Sequence, residues 1–390
     1  MTNMRIKTIF AVAVAVLTAL VLAAACLLAG CGEQGTTSFR NTDLGNGWQP
    51  TSSLELKYAE NFSVDYYEGG YKLACISNGD RYLVVPEGAE VPEGLASDIV
   101  VLQQPLDHIY MVATDTMCMF DAIDELDSIS IASLQAEDWY NANARAAMES
   151  GQIVYGGKYS APDYEVVVSQ SCRLAIESTM INHVPEVKEK LQDMGVIVLT
   201  EQSSQESNPL GRTEWVKLYS AMFNKEYLAS QVFEQQAAQV DSVATTDVGS
   251  PTVAFFYINS NGSPVVRKPG DYITKMIAMA GGDYVFKDLD ESESASSSVT
   301  MEMESFYIQA RDAQTIIYNS TTTGGIGSID ELTSMNDVFS EFAAVKSGNV
   351  WCSEANMYQM AMNSGDIVSE INSILAGDTS RDYQFFTKLE

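Results

Sequence analysis

Histidine is scarce in this chain: His108 and His183 are the only two among 390 residues, which excludes a histidine-rich metal centre. His183 follows Ser178-Thr179-Met180 at the end of an expected parallel strand, where α/β proteins place ligands; a surface or capping role is expected for it. The Gly-x-Ser-x-Gly elbow, His-Glu-x-x-His, the Walker loop and a Gly-x-Gly-x-x-Gly turn after a strand are all absent. Acid–base chemistry would therefore fall to carboxylates such as Glu177 and Glu206, which work as a pair only at the right separation. Cys75, Cys118, Cys172 and Cys352 form no Cys-x-x-Cys pair. Exported proteins do form disulfides, but each of these four lies within or beside an apolar stretch, and buried free thiols are expected. The run 288–298 is acidic and serine-rich; it lacks the glycine and ligand order of a calcium loop and reads as a solvated loop.

The remaining composition says who the partners are not. Lysine and arginine total 22 against 52 aspartates and glutamates, a net charge of -30. Such a surface repels nucleic-acid phosphates and anionic lipid, so neither is an expected partner. The first eight residues carry Arg5 and Lys7 and no acid, and the chain is then uncharged from Ile9 to Gly30. A basic start, an apolar stretch and small residues before a cut describe a secretory signal. The ending Leu28-Ala29-Gly30-Cys31 resembles a bacterial lipobox, which implies a lipidated Cys31 at the mature N-terminus and an extracytoplasmic place on the cell membrane. Residues 32–53, rich in Gly, Thr, Ser and Asn, read as a flexible tether.

These residues need elements to position them. Three extended runs, Phe62–Tyr67, Tyr71–Ile76 and Arg81–Val85, are separated by Glu68-Gly69-Gly70 and Asn78-Gly79-Asp80, the mark of hairpins. After Pro86 strands alternate with helices, and they do so twice. The first half offers strands at Ile109–Ala113, Leu174–Glu177 and Val196–Thr200, with helices at Asp115–Leu126, Tyr164–Ser171 and Pro185–Met194. The second offers strands at Thr252–Ile258, Thr315–Tyr318 and Val350–Cys352, with helices at Tyr272–Ala280, Ser305–Asp312 and Asn336–Val345. Alternation of this kind implies parallel sheets, and two sets imply two similar α/β lobes. Between them Asn208-Pro209 is a helix start. No glycine or proline interrupts from Arg212 to Val248, so a helix of roughly 30 residues, about 45 Å long, is expected to bridge the lobes. The division is 1–30 signal peptide, 31–57 lipidated cysteine and tether, 58–207 first lobe with leading hairpins, 208–248 bridging helix, and 249–390 second lobe.

Several segments in this order resemble one family: Gly156-Gly-Lys-Tyr-Ser-Ala-Pro-Asp-Tyr-Glu165, Leu174-Ala-Ile-Glu-Ser-Thr-Met180, Pro185-Glu-Val-Lys-Glu-Lys-Leu191, Pro209-Leu-Gly-Arg-Thr-Glu-Trp215 and Ala280-Gly-Gly282. With a lipobox in front and a helix in the middle, the chain from about Tyr58 onward resembles the binding proteins of ABC importers for ferric siderophores, haem and cobalamin. The resemblance implies a monomer that does no chemistry and has no cofactor of its own. It would hold a ligand carrying iron or cobalt between two lobes and hand it to a permease dimer and its ATPase. It implies permease docking through a glutamate on each lobe, pointing to Glu186 and to Glu304, with Glu302 the near alternative; without a permease, such helix-start acids still offset the macrodipole. It places ligands against loops at strand ends, pointing to Thr114, Met117, Tyr155, Lys158, Tyr159 and Met180 in the first lobe, and to Arg267, Tyr272, Asn319, Trp351 and Tyr358 in the second. Arg212 and Glu214 read as helix-start residues joined by a local ion pair. The rival expectations are a lipid-anchored hydrolase and a surface adhesion or scaffold module.

Overall fold

The computed structural model describes residues 39–290, 297–320 and 324–390. The signal segment, Cys31 and the middle of the 288–298 loop lie outside them. Two units are distinguished, Met1–Arg40 and Asn41–Glu390; all that follows concerns the second.

Its chain opens with a five-stranded sheet in the order Ser52–Ser53, Phe62–Tyr66, Lys72–Ile76, Arg81–Val85, Ile99–Gln103. The two hairpins expected here are present as antiparallel pairs, and the fifth strand joins parallel to the fourth. The turn between Ile76 and Arg81 closes through Gly79 at φ 93° and the Asp80 N–H donated to the Asn78 side chain at 3.0 Å.

Residues 41–57 are not a tether. Leu44 is fully buried, and Ser52–Ser53 pair with Tyr66 and Asp65. The Lys57, Tyr58 and Ala59 N–H groups all donate to the Glu214 carboxylate at 2.8–3.0 Å. Glu60 and Asn61 donate likewise to Glu206. The Asn- and Gly-rich composition arises because Asn41, Asp43 and Asn46 each accept the N–H two residues on, a local turn that needs those residue types.

Each lobe is built on a parallel sheet. In the first the order is Ile197–Thr200, Leu174–Glu177, Ile109–Met111, Ile129–Ala132, Val154–Tyr155, every neighbour parallel. Leu174 and Ile176 enter the main core, while Ala175 joins a smaller cluster on the other face, as alternation along a doubly covered strand requires. In the second lobe Thr252–Ile258, Thr315–Tyr318 and Val350–Ser353 are parallel, flanked by antiparallel Pro264–Arg267, Ser298–Thr300 and Phe386–Lys388. The helix expected over Asn336–Val345 is instead a 3-10 turn, Asp337–Glu341, and a short helix, Ala343–Ser347. Asn336 in extended conformation caps the first of these.

The connector is helical but jointed: Pro209–Glu214, Val216–Phe223 and Glu226–Val243. The break falls at Asn224, which takes the left-handed conformation at φ 59°, a role asparagine fills where glycine is absent. Lys72 reaches in from the leading sheet and bonds the Ala221 carbonyl at 2.8 Å and the Asn224 side chain at 2.7 Å, satisfying a helix-end acceptor. The longest rigid piece is therefore the 18-residue helix Glu226–Val243, about 27 Å, and it packs along the helix Ser364–Leu375.

Candidate functional site

The ends of the parallel strands bring a polar cluster to the junction of the lobes. After strand Ile109–Met111 the chain delivers Asp115, and after Ile197–Thr200 it delivers Glu201 and Ser203. Arg212, from the first connector helix, donates to Asp115 at 3.1 Å, and the Ser203 hydroxyl joins the same oxygen at 3.3 Å. The Glu201 carboxylate accepts the Ser203 N–H at 2.8 Å. Burial, reinforced by the nearby Asp115 charge, pushes the Glu201 carboxyl up from its ordinary range.

The other face of the Arg212 guanidinium lies 3.9 Å from the Tyr272 ring, a cation–π contact that carries the cluster into the second lobe. Tyr272 begins a helix capped by Asp271. Asp271 lies 3.5 Å from Arg267, the last residue of strand Pro264–Arg267. Arg267 in turn donates to the Tyr358 hydroxyl at 3.0 Å, and Tyr358 donates to Asn319 at 3.3 Å. Tyr272 and Tyr358 meet edge to face at 6.5 Å. The cluster thus presents two arginines, each beside a carboxylate, with two tyrosine faces between them. It can orient a ligand by charge and stacking.

On the first lobe, Tyr155 ends the edge strand and a tight hairpin follows, Gly157–Lys158 paired with Ala161–Pro162. The Tyr110 hydroxyl sits 3.0 and 2.6 Å from the Gly156 and Gly157 carbonyls and fixes the hairpin to the sheet. Both glycines are required: a Cβ at 156 would lie 2.2 Å from the Ile131 methyl, and one at 157 2.4 Å from the Ala161 carbonyl. Tyr155 and Lys158 are exposed, whereas Tyr159 is half-buried and packs on the outer-face cluster.

Of the residues expected to meet a ligand, Arg267, Tyr272, Asn319 and Tyr358 come together, and Thr114, partly exposed, sits beside Asp115. Two do not. Met117 is fully buried at the start of its helix, where it packs into the main core. Trp351 is 2% exposed, with its indole N–H on Asn349 at 3.0 Å and its ring against Tyr383. Met180 is exposed on the turn Thr179–His183, as is His183.

The carboxylates considered for acid–base work do not share a site. Glu206 is occupied by two backbone N–H groups and by the Trp215 indole at 2.9 Å. Glu177 is sealed at 0% exposure among Tyr110, Tyr164, Cys172 and Lys188. Arg212 and Glu214 do not pair; Glu214 binds Lys217 at 2.6 Å instead. All four cysteines of the body are free. Among the described residues no group of three or more metal-ligating side chains converges, and no helix is long and apolar enough to cross a membrane.

No family model matches this chain. An uncharacterised lipoprotein of Methanocaldococcus jannaschii is 25% identical over 399 residues, covering 93% of each chain. The periplasmic haem-binding protein HutB of Vibrio cholerae superposes with a TM-score of 0.56 at 14% identity, covering 69% of this chain and 98% of its own. An ABC-type Fe3+-hydroxamate transport protein of Saccharomonospora viridis gives 0.53 at 17% identity, covering 69% and 93%. The fold is that of the two-lobed, helical-backbone periplasmic binding proteins.

Proposed function

We propose that this chain is the lipid-anchored, extracytoplasmic binding component of an ABC importer. It captures a ferric siderophore, or else cobalamin or haem, between its lobes and delivers it to the permease dimer. The observation that carries this reading is the junction cluster, in which Arg267, Tyr272 and Tyr358 gather a cation and two aromatic rings at strand and helix ends, held from behind by buried Arg212 and Asn319. Its aromatic faces and cations suit a bulky, partly anionic chelate, and the ligand supplies whatever iron or cobalt is present. We assign the first-lobe wall to Tyr155, at the end of the edge strand, and Lys158, on the hairpin fixed by Tyr110, with Tyr159, Thr114 and Met180 as its further members.

Calorimetric titration with ferric siderophores, haem and cobalamin tests this. One of the three is expected to bind below micromolar concentration, more than about 8 kcal/mol, with Arg267→Ala weakening it tenfold or more. Failure of all three classes, with tight binding of a small metabolite instead, would overturn the ligand class. Trp351 cannot report binding by contact, since its ring is enclosed.

Glu186 stands exposed in the first turn of helix Pro185–Asp193, and Glu304 in the first turn of Met303–Ala310, with Glu302 at its N-cap. These we assign to permease docking. In cells the double change Glu186→Ala with Glu304→Ala is expected to abolish uptake and leave ligand affinity intact, while Cys31→Ala is expected to release the protein from the membrane fraction. Normal uptake by the first, or membrane retention of the second, would remove those assignments.

A further inference from the structure

The segment between strand Val350–Ser353 and helix Ser364–Leu375 runs as two 3-10 turns, Ala355–Tyr358 and Ala361–Asn363. It touches each part of the body in turn. Tyr358 bonds the second-lobe Arg267 and Asn319. The Ala361 carbonyl accepts the connector's Thr213 hydroxyl at 2.8 Å. Gln359, between them, crosses to the first lobe: its Nε2 donates to the Asp138 carbonyl at 2.9 Å, and its Oε1 accepts the Tyr140 N–H at 3.0 Å.

Besides the buried Met362 N–H on the Cys118 thiol at 3.4 Å, two polar contacts of unlike character join the lobes. Arg212, with Asp115 on one side and Tyr272 on the other, is buried; opening it would strand charges away from water, which is costly. The Gln359 contact is neutral and lies at the surface, with Tyr140 47% exposed. Its two hydrogen bonds hold the contact closed by a modest net free energy, small enough to break and re-form in exchange for water. A side-chain amide that satisfies one backbone donor and one backbone acceptor two residues apart also fixes distance and orientation together.

We infer that Gln359 is a positioning residue that sets the spacing of the lobes, the releasable latch of the cleft, with Arg212 the fixed one. Tyr358 and Gln359 are adjacent, so the turn that closes on the other lobe also carries the hydroxyl on Arg267. Trp139, buried between the two clasped residues, has an indole N–H with no partner among the described residues, and its surroundings loosen when the latch opens.

The test uses ligand-free protein, so its outcome is separate from the proposed binding activity. Hydrogen exchange and solution scattering are measured on the wild type, Gln359→Ala and the shorter Gln359→Asn. The Tyr140 amide is expected to exchange at least tenfold faster in both variants, with a larger radius of gyration and unchanged protection in strands Ile109–Met111 and Thr315–Tyr318. If Gln359→Ala loses protection throughout, Gln359→Asn carries the same readings. Wild-type exchange at Tyr140 would overturn the latch, and so would faster exchange with an unchanged radius of gyration, which would reduce Gln359 to a loop contact.

Discussion

Arg212→Ala is expected to destabilise the protein by about 3–5 kcal/mol, the range for removing one partner of a buried ion pair. The change leaves Asp115 within a cluster that already contains the Glu201 carboxyl, and it removes the cation from the Tyr272 face. Arg212→Lys is expected to recover only part of the loss, because an ammonium keeps the charge but not the planar stack. The double change Asp115→Leu with Arg212→Met is expected to restore most of it, since apolar replacements of a buried pair leave no charge unmatched. Denaturant unfolding at neutral pH measures all three; a loss below about 1 kcal/mol for Arg212→Ala would show that water reaches Asp115.

Glu177→Gln is expected to stabilise the protein at alkaline pH and to do little near pH 5. Burial pushes the Glu177 carboxyl up to about 8 from an ordinary 4.5, opposed only by Lys188, and neither oxygen has a hydrogen-bond partner among the described residues. The folded chain therefore keeps this proton after the unfolded chain has lost it. Stability falls as pH rises from about 4.5 through 8 and then levels, a loss on the order of several kcal/mol. Stability of wild type and variant measured from pH 5 to 9 should diverge across that window, the variant losing less. Parallel profiles would place water at the carboxyl and sink the argument.

The sheets were the legible part of this sequence. Arg81–Val85, Leu174–Glu177, Thr252–Ile258 and Thr315–Tyr318 have the expected bounds residue for residue, because strands buried on both faces read as unbroken apolar runs between polar turns. The break at Asn224 was hidden, since only its backbone conformation, stabilised by Lys72 from another element, separates the two helices. The site was half legible. Arg267, Tyr272 and Tyr358 stand at strand and helix ends, where a sequence reading looks. Asp115, Glu201 and Ser203 went unread, though one signal was available: Asp115 is a lone acid inside the apolar run Ile109–Phe120. The expected Arg212–Glu214 pair ignored helix geometry, in which residues two apart do not face one another. Glu214 turned instead toward the backbone of residues 57–59, a contact 155 residues distant in sequence.

That last contact has a consequence for how the chain can be shortened, by proteolysis or over evolutionary time. Glu214 and Glu206 together take five backbone N–H groups from residues 57–61, and both are buried, Glu214 in the first connector helix and Glu206 just ahead of it. A chain cut ahead of Phe62 would keep both lobes and the whole junction cluster, yet leave two interior carboxylates short of their donors. The cost of such orphaned groups falls on the connector between the lobes, not on the excised edge. A lineage that discards the segment ahead of Phe62 is therefore expected to give up both glutamates as well, which makes the sequence at 206 and 214 a marker for whether a relative retains residues 57–61.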